Sequence, residues 1–387
     1  MITHILKLIW NKKGQNSLMI LEIFLSFLVL YFVLAYVLYN LNIVNKPMGF
    51  SVEDKWMIGL GNIALLDSLE GVAIIENLQI ELMAQDEIEQ VSFAANVVPF
   101  SNNQWMTSND DNGFEITSLV IPVDIHLDEV MDLNVIEGRW FDEADIVNRD
   151  DLMIVNKAFM EKYFSKKSMV DSTLIFDGDR KIIGVVNAYR YNGQFSEDEP
   201  TALNLRPSVD NREVVLLDMK SAVPAAFEEK LAGIVAQVTK TTGSTIERID
   251  KLQAKNSRES WLMLIAMLTV CGFLCLNVAL GLFGVLWYNI NKRKSEIGLR
   301  QALGAHGSDI TKQFILEILI LTGIALVIGI FFAIQIPLLK VTEYEPSLFY
   351  KSIIYSTLII MSLVFLCALM PSLQAARITP ADSLHED

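Results

Sequence analysis

One short segment combines charged and apolar residues at helical spacing. It reads NKRKSEIGLRQALGAHGSDITKQFILE, residues 291–317. Glu296 and Arg300 are four residues apart, so their opposite charges can pair on one face of a helix. Leu299, Ala302 and Leu303 stand at i, i+3 and i+4 and give the helix a narrow apolar face. Such a helix can bind a partner protein or can simply connect two elements, and the pattern alone leaves both interpretations open.

Few other residues offer the donors that catalysis or metal binding requires. His126 is the only histidine among residues 41–260, so no His, Ser and Asp set can form there. Cys271 and Cys275 lie one helical turn apart in an apolar segment, which favours packing over metal or redox chemistry. The run Asp177–Asp179 is interpreted as a turn, because the later ligands of a calcium loop are missing. We therefore predict no catalytic, cofactor-binding or metal site.

Four apolar segments are long enough to cross a bilayer as helices of about 20 residues. They are residues 18–39, 261–288, 314–339 and 353–370. Lys7, Lys12 and Lys13 precede the first segment, as they would in a signal peptide. Its length and the absence of a small-x-small cleavage pattern predict instead a retained transmembrane helix.

Basic residues predict how these spans are oriented, because lysine and arginine near span ends favour the cytoplasmic side. Those flanking the spans are Lys7, Lys12, Lys13, Lys292, Arg293, Lys294, Arg300, Lys312 and Arg377. They place both termini inside and the large block between spans one and two outside. The predicted divisions are a cytoplasmic segment 1–17, an extracytoplasmic domain 40–260, a cytoplasmic connector 289–312, an outer loop 340–352 and a cytoplasmic tail 371–387.

The charge of the chain is unevenly distributed. The formal net charge is −15, and the whole excess of acidic residues falls in residues 41–260. Nucleic acid is therefore not an expected partner, because a surface that binds phosphates needs a basic patch.

The extracytoplasmic block alternates between strand and helix patterns. Helices are predicted at 71–86 and 223–238, and strands at 88–100, 213–218 and 244–249. This order predicts one α/β subdomain built from residues 44–100 and 211–250, with a second subdomain inserted at 101–210. The predicted fold class is an α-helical membrane protein with four transmembrane helices and a large mixed α/β domain between helices 1 and 2.

The connector is predicted to form a short helix at residues 294–305, ended by Gly304. Ser308 is predicted to cap the next helix. Glu22 and Glu317 lie about one turn inside the spans, where acidic residues are functional candidates. Structural or coupling roles are preferred over a proton relay, because both can reach the interface. The span glycines are interpreted as sites of close helix packing: Gly272, Gly281, Gly284, Gly323 and Gly329.

Several longer runs are recognisable. They are RKSEIGLRQALGA (293–305), DI (309–310), FILE (314–317), PSLQAARITPADSL (371–384), and the stretch from EGR (137–139) to IGVV (183–186). Together they resemble the FtsX/MacB-like permease family of ABC transporters, over essentially the whole chain. The connector motif is the most specific of these runs.

The resemblance implies a permease subunit that docks on a cytoplasmic ATPase, which binds ATP and Mg. Motion of the ATPase would move the spans and reshape the outer domain, an arrangement called mechanotransmission, to export or extract a peptide, amphiphile or lipoprotein. The implied ATPase-coupling residues are Arg293, Glu296, Ile297, Gly298, Arg300, Ala302, Leu303 and Gly304.

The resemblance also implies further partners and a location. We expect a second permease subunit, either identical or related, with a periplasmic adaptor or lipoprotein chaperone, in a bacterial inner membrane. MacB itself carries an amino-terminal nucleotide-binding domain, whereas no GxxxxGK[ST] phosphate loop occurs in these 387 residues. The ATPase is therefore expected to be a separate polypeptide. The alternative is an FtsX-like regulator of a cell-envelope hydrolase, and a ligand sensor is a third class.

Overall fold

The computed structural model describes most of the chain. The described residues are 13–60, 68–95, 98–101, 103–148, 151–164, 168–176, 178–205, 213–221, 223–224, 226–240, 243–341 and 344–376. They form two compact units, one of residues 43–261 and one of the residues before 43 and after 261.

The chain contains eleven helices and eleven strands within its described part. The helices are α1 (Lys13–Val44), α2 (Ser68–Met83), α3 (Leu127–Met131), α4 (Glu143–Asn148), α5 (Lys157–Phe164), α6 (Ala226–Thr239), α7 (Ile249–Lys292), α8 (Lys294–Ala302), α9 (Gly307–Ala333), α10 (Gln335–Leu338) and α11 (Pro346–Ala375). The strands are β1 (Lys55–Gly59), β2 (Ile88–Ala94), β3 (Met106–Asn109), β4 (Ile116–Val123), β5 (Val135–Gly138), β6 (Leu152–Asn156), β7 (Thr173–Ile175), β8 (Asp179–Val186), β9 (Thr201–Leu205), β10 (Val214–Met219) and β11 (Thr245–Arg248).

Four of the helices, α1, α7, α9 and α11, are long and apolar enough to cross a membrane. Each contains most or all of one predicted span, and each begins or ends beyond it. The helices extend because the residues just outside each apolar window also have good helix propensity. Continuing the helix keeps their backbone N–H and C=O groups hydrogen-bonded. The four-helix membrane part of the predicted fold is confirmed.

A buried core holds the membrane unit together. Ile23, Phe27 and Tyr31 of α1 are fully buried in it. The Tyr31 hydroxyl donates a hydrogen bond of 3.0 Å to the Ala333 carbonyl of α9, which satisfies the one polar atom of that ring. A Cβ added to Gly329 would lie 2.5 Å from the Phe27 ring. α1 and α9 therefore pack at a distance that only glycine permits.

The predicted role of the span glycines is confirmed at two positions. Gly329 lies against Phe27, and a Cβ on Gly281 would lie 2.7 Å from a carboxylate oxygen of Glu22. At Gly272, Gly284 and Gly323 an added Cβ would meet no other described atom within 4 Å. For these three the prediction of close packing is wrong within the described chain.

The first sheet of the α/β unit is antiparallel, in the order β11-β1-β10-β2. One face is covered by α2 and α6, whose apolar residues recur at helical spacing and are buried. This core contains Trp56, Ile58, Leu78, Leu82, Val91, Leu217, Phe227, Leu231 and Val235. The helices and strands predicted from sequence in this part of the chain are all present.

The second sheet has seven strands, in the order β3-β4-β9-β6-β8-β5, with β7 paired to β8. It is mixed: β4 and β9 are parallel, as are β6 and β8. Phe159 of α5 and Phe176 pack on one face, beside Val155 and Ile182. The opposite faces of the two sheets share one core, which includes Leu216 of the first sheet and Leu203, Ile154 and Ile121 of the second. The mixed α/β domain between helices 1 and 2 is thus confirmed.

Glycines explain the EGR and IGVV runs. A Cβ on Gly138, whose φ is +72°, would lie 2.1 Å from the Ile183 carbonyl oxygen. A Cβ on Gly184 would lie 2.4 Å from the carbonyl oxygen of Arg139. The Arg139 guanidinium forms a bidentate pair with Asp145 at 2.6 and 2.7 Å, which lowers the pKa of that carboxyl. These runs therefore fix β5 against β8.

Charged residues also join the two subdomains. Lys55 of β1 is buried and lies 2.7 Å from Asp218 of β10 and 3.1 Å from Asp132, which follows α3. Asp124 accepts hydrogen bonds from the Ser92 hydroxyl and the Phe93 amide of β2, both at 2.7 Å. These contacts orient the segment around α3 on the edge of the first sheet.

The turn prediction for Asp177–Asp179 is supported by its neighbours, since β7 and β8 pair antiparallel with Ile175 opposite Asp179. Asp177 itself lies outside the described residues. Among the described residues, no group of three or more His, Cys, Asp or Glu side chains is arranged to hold a metal ion.

Gly329 provides a stability prediction for the membrane unit. Gly329→Ala should lower the thermal unfolding temperature of the detergent-purified chain, because the new methyl group must displace the buried Phe27 ring; overpacking costs on the order of 1–3 kcal/mol. Gly323→Ala, on the same helix with open space around it, is the matched control. Equal unfolding temperatures for the two variants would contradict the described packing of α1 on α9.

Asp128 provides a pH prediction for the α/β unit. Its buried Oδ1 has no hydrogen-bond partner among the described residues, and burial raises the pKa of the carboxyl to about 6. The folded state therefore binds the proton more tightly than the unfolded chain does. Stability from this group is gained as pH falls through 6 and lost as pH rises through it.

We expect Asp128→Asn to stabilise the domain at pH 8 by about 1 kcal/mol, and to make little difference at pH 4. Thermal unfolding at both values of pH measures this. Glu76→Gln is the control, because Glu76 is exposed on α2 of the same unit and does not act on the Asp128 carboxyl. A stabilisation by Asp128→Asn that is the same at both pH values would rule out the titration as its cause.

Candidate functional site

The connector predicted between spans two and three is a short helix. α8 runs from Lys294 to Ala302, with Arg293 alone between it and the end of α7. It ends three residues earlier than predicted. Gly304 has a φ of +94°, a conformation that glycine adopts without strain, and there the chain reverses towards α9. Gly304 therefore ends the helix as the sequence predicted.

The prediction that Ser308 caps the following helix is wrong. α9 begins at Gly307, so His306 occupies the capping position, and no side chain forms a capping hydrogen bond. An added Cβ on Gly307 would lie 3.0 Å from the Ala376 carbonyl oxygen. The start of α9 therefore approaches the end of α11 closely at Gly307.

The inner face of α8 is buried. Ile297 is 4% exposed and packs with Ile290 of α7, Ile310 and Phe314 of α9, and Ala375 of α11. Gly298 beside it is also buried. One apolar residue thus contacts three of the long helices, which holds the connector against the ends of the spans.

Polar contacts add to this packing. An Arg293 guanidinium nitrogen lies 3.1 Å from a Glu317 carboxylate oxygen, and the two side chains are only 12% and 14% exposed. The Arg293 guanidinium also lies 6.0 Å from the centre of the Phe314 ring. Glu317, predicted as an intramembrane acidic residue, is therefore the partner of Arg293.

The other end of α8 has two contacts of its own. The Arg300 guanidinium donates a hydrogen bond of 2.8 Å to Gln313 and also pairs with Glu296, the partner that the i, i+4 spacing predicted. The Gln301 amide donates a bond of 3.1 Å to the carbonyl of Ala376. Sequence reasoning gave Gln301 and Gln313 no role, because neither contact follows a local spacing rule.

The outer face of α8 is open. Leu299 is 62% exposed, Leu303 is 79% exposed, and Ala302 is exposed between them. The sequence grouped these three residues as one apolar face, and the structure shows that this face is turned away from the spans. α8 therefore has two apolar faces, one packed on its own chain and one uncovered.

Glu22, the other acidic residue predicted inside a span, lies elsewhere. Its carboxylate approaches Gly281 of α7, where the absence of a side chain makes room for it. The structure therefore brings Glu317 into the connector site and does not bring Glu22 there.

Family models match nearly all of the chain. The MacB-like periplasmic core domain model matches residues 48–250, and the FtsX-like permease C-terminal model matches residues 262–380. The first covers the α/β unit and the second covers α8 and the last spans.

Individual proteins resemble the chain at sequence identities of 20% and 24%. A macrolide export ATP-binding/permease protein MacB 2 of Aeromonas hydrophila subsp. hydrophila is 24% identical over 281 residues, 67% of this chain and 42% of that protein. A MacB of Neisseria meningitidis serogroup A is 20% identical over 353 residues, 87% of this chain and 54% of that protein. The chain spans about half the length of these relatives.

The crystal structure of the periplasmic region of MacB from Actinobacillus actinomycetemcomitans covers 55% of this chain and 97% of its own, at 14% identity and a TM-score of 0.38. The assignment rests on the family models, one of which alone matches more than half of the chain. This chain belongs to the FtsX/MacB-like permease family of ABC transporters.

Proposed function

We propose that this chain is a permease subunit whose helix α8 docks on a cytoplasmic ABC ATPase and passes the motion of that ATPase to the spans. The observation that carries the proposal is the two-faced structure of α8. Ile297 and the polar contacts fix one face to the spans, while Leu299 and Leu303 leave an apolar face uncovered. Exposed leucines on a short, fixed helix are suited to a pocket on a partner protein.

ATP hydrolysis would come from that partner. The 387 residues contain no GxxxxGK[ST] loop, so the phosphates of ATP and the Mg ion are expected to bind in a different ATPase sequence.

The proposed location is the bacterial inner membrane, with α8 on the cytoplasmic side. Support comes from the basic residues around α8 and from the match of the α/β unit to a periplasmic domain family. Mechanotransmission would then act on a substrate held outside the membrane. The proposed substrate is a peptide, amphiphile or lipoprotein; the relatives named for macrolide export favour an amphiphile.

A second permease subunit, identical or related, is part of the proposal. In α7 only 17% of the apolar window is buried, against 22–39% in the other three spans. Asn277 is exposed on α7, and its side-chain amide bonds only back to the Phe273 carbonyl at 2.9 Å among the contacts described. A carboxamide on a span is better satisfied by another helix than by lipid, which supports α7 as the contact surface.

The test of the docking proposal uses the two exposed leucines. We expect Leu299→Asp with Leu303→Asp to abolish co-purification of a partner ABC ATPase co-expressed with this chain and to lower ATP turnover to that of the ATPase alone. Leucine buried in an interface contributes about 1.5–3 kcal/mol, so the loss of two should weaken binding by at least about a hundredfold.

The matched control for that test is Leu373→Asp. Leu373 is 46% exposed in the last turn of α11, off the connector. Retained capture by the control and lost capture by the double variant would support docking through α8. Full capture by the double variant would refute it.

A further inference from the structure

Transmission requires more than docking, because a displacement of α8 must also reach α9. Only residues 303–306 join the two helices, and Gly304 within them has a positive φ. A push on α8 would be absorbed by rotation about this link unless other contacts held the helices together. The contacts across the link therefore determine whether α8 can move α9.

Two of those contacts are made by arginine side chains, and both have their acceptors on α9. Arg293, which immediately precedes α8, and Arg300 near its end are seven residues apart, about two helical turns. Their acceptors, Glu317 and Gln313, are four residues apart, one turn, on one side of α9. A single contact would allow α8 to pivot. Two contacts at different heights fix both its position and its direction relative to α9.

The Arg293–Glu317 contact is the stronger of the two. Both side chains are nearly buried, and the Phe314 ring lies over the guanidinium, so water screens the pair little. Removing either partner would leave an uncompensated charge at the end of an apolar helix. The Arg300–Gln313 bond involves a neutral amide and is therefore the weaker member.

We propose that Arg293 and Glu317, supported by Arg300 and Gln313, are positioning residues that make α8 and α9 move as one body. This inference rests on the proposed function and adds a division of labour to it. The outer face of α8 binds the ATPase, and the arginine contacts carry the displacement into span three. Glu317 then acts through Arg293 and has no part in proton transfer.

Glu317→Gln separates the two roles. The ATPase should still co-purify with this variant, since the outer leucines are unchanged, while the stimulation of ATP turnover by the permease should fall about tenfold. Lys312→Gln, which removes an exposed charge beside Gln313, should leave both measurements unchanged. If the unaltered chain does not capture the ATPase, the proposed function is refuted. If Glu317→Gln captures the ATPase and stimulates ATP turnover normally, only the present inference is refuted.

The charge-swapped variant, Arg293→Glu with Glu317→Arg, distinguishes two possibilities. Stimulation of ATP turnover requires either the ion pair between these positions or a carboxyl group at position 317. Restored stimulation of ATP turnover in this variant supports the proposal that the pair joins α8 to α9. A proton-transfer role for Glu317 predicts the opposite result. If the swapped variant folds and binds the ATPase but does not stimulate ATP turnover, the inference is overturned.

A covalent tether provides a test that does not depend on how the swap folds. Arg300→Cys and Gln313→Cys are introduced into Glu317→Gln after Cys271, Cys275 and Cys367 have been replaced by alanine, and a short bismaleimide joins the new thiols. Recovery of ATPase stimulation only after cross-linking supports the inference. Verified cross-linking without any recovery would overturn it.

Discussion

A carboxylate at the end of an apolar span needs a cation beside it, and Glu317 obtains one from Arg293 at 3.1 Å. The rest of the connector follows from this constraint. Because the pair is nearly buried, the end of α7, which leads into Arg293, must stay beside the first turns of α9. α8, which begins at the next residue, is thereby held on the ends of the spans with Ile297 inward. Leu299 and Ala302, which lie on the other face, are therefore turned away from the spans.

The α/β domain follows a different constraint, the need to bury two sheets with few helices. The first sheet is covered on one face by α2 and α6 and on the other by the second sheet, so its strands are apolar on both sides. This explains why Glu213–Asp218 reads as a nearly continuous apolar run and could be recognised as a strand. The EGR and IGVV runs serve the same packing, since Gly138 and Gly184 let β5 and β8 approach closely.

Periodicity predicted the elements but not what covers them. The span helices, α2, α6 and the strands around them follow from hydrophobic patterns, because burial sets those patterns directly. The Glu296–Arg300 pair follows from local spacing. The cap at Ser308 failed because α9 begins at Gly307, which lies close to Ala376, 69 residues away along the chain, so the serine is already inside the helix. For the same reason Gln301 and Gln313 were missed: their partners lie on other helices, and no local rule indicates them.

The glycines of the spans show the same limit. Composition marks them as sites of close approach, yet only Gly281 and Gly329 have a neighbour that would meet a side chain, and three others face open space in the described chain. Two of those three, Gly272 and Gly284, lie on α7, the least covered span. Asn277 and Gly284 are seven residues apart, two helical turns, so they place an exposed carboxamide and an open glycine on one face of α7. That face is therefore where the second permease subunit that we propose would find both a polar group to bond and room for close approach.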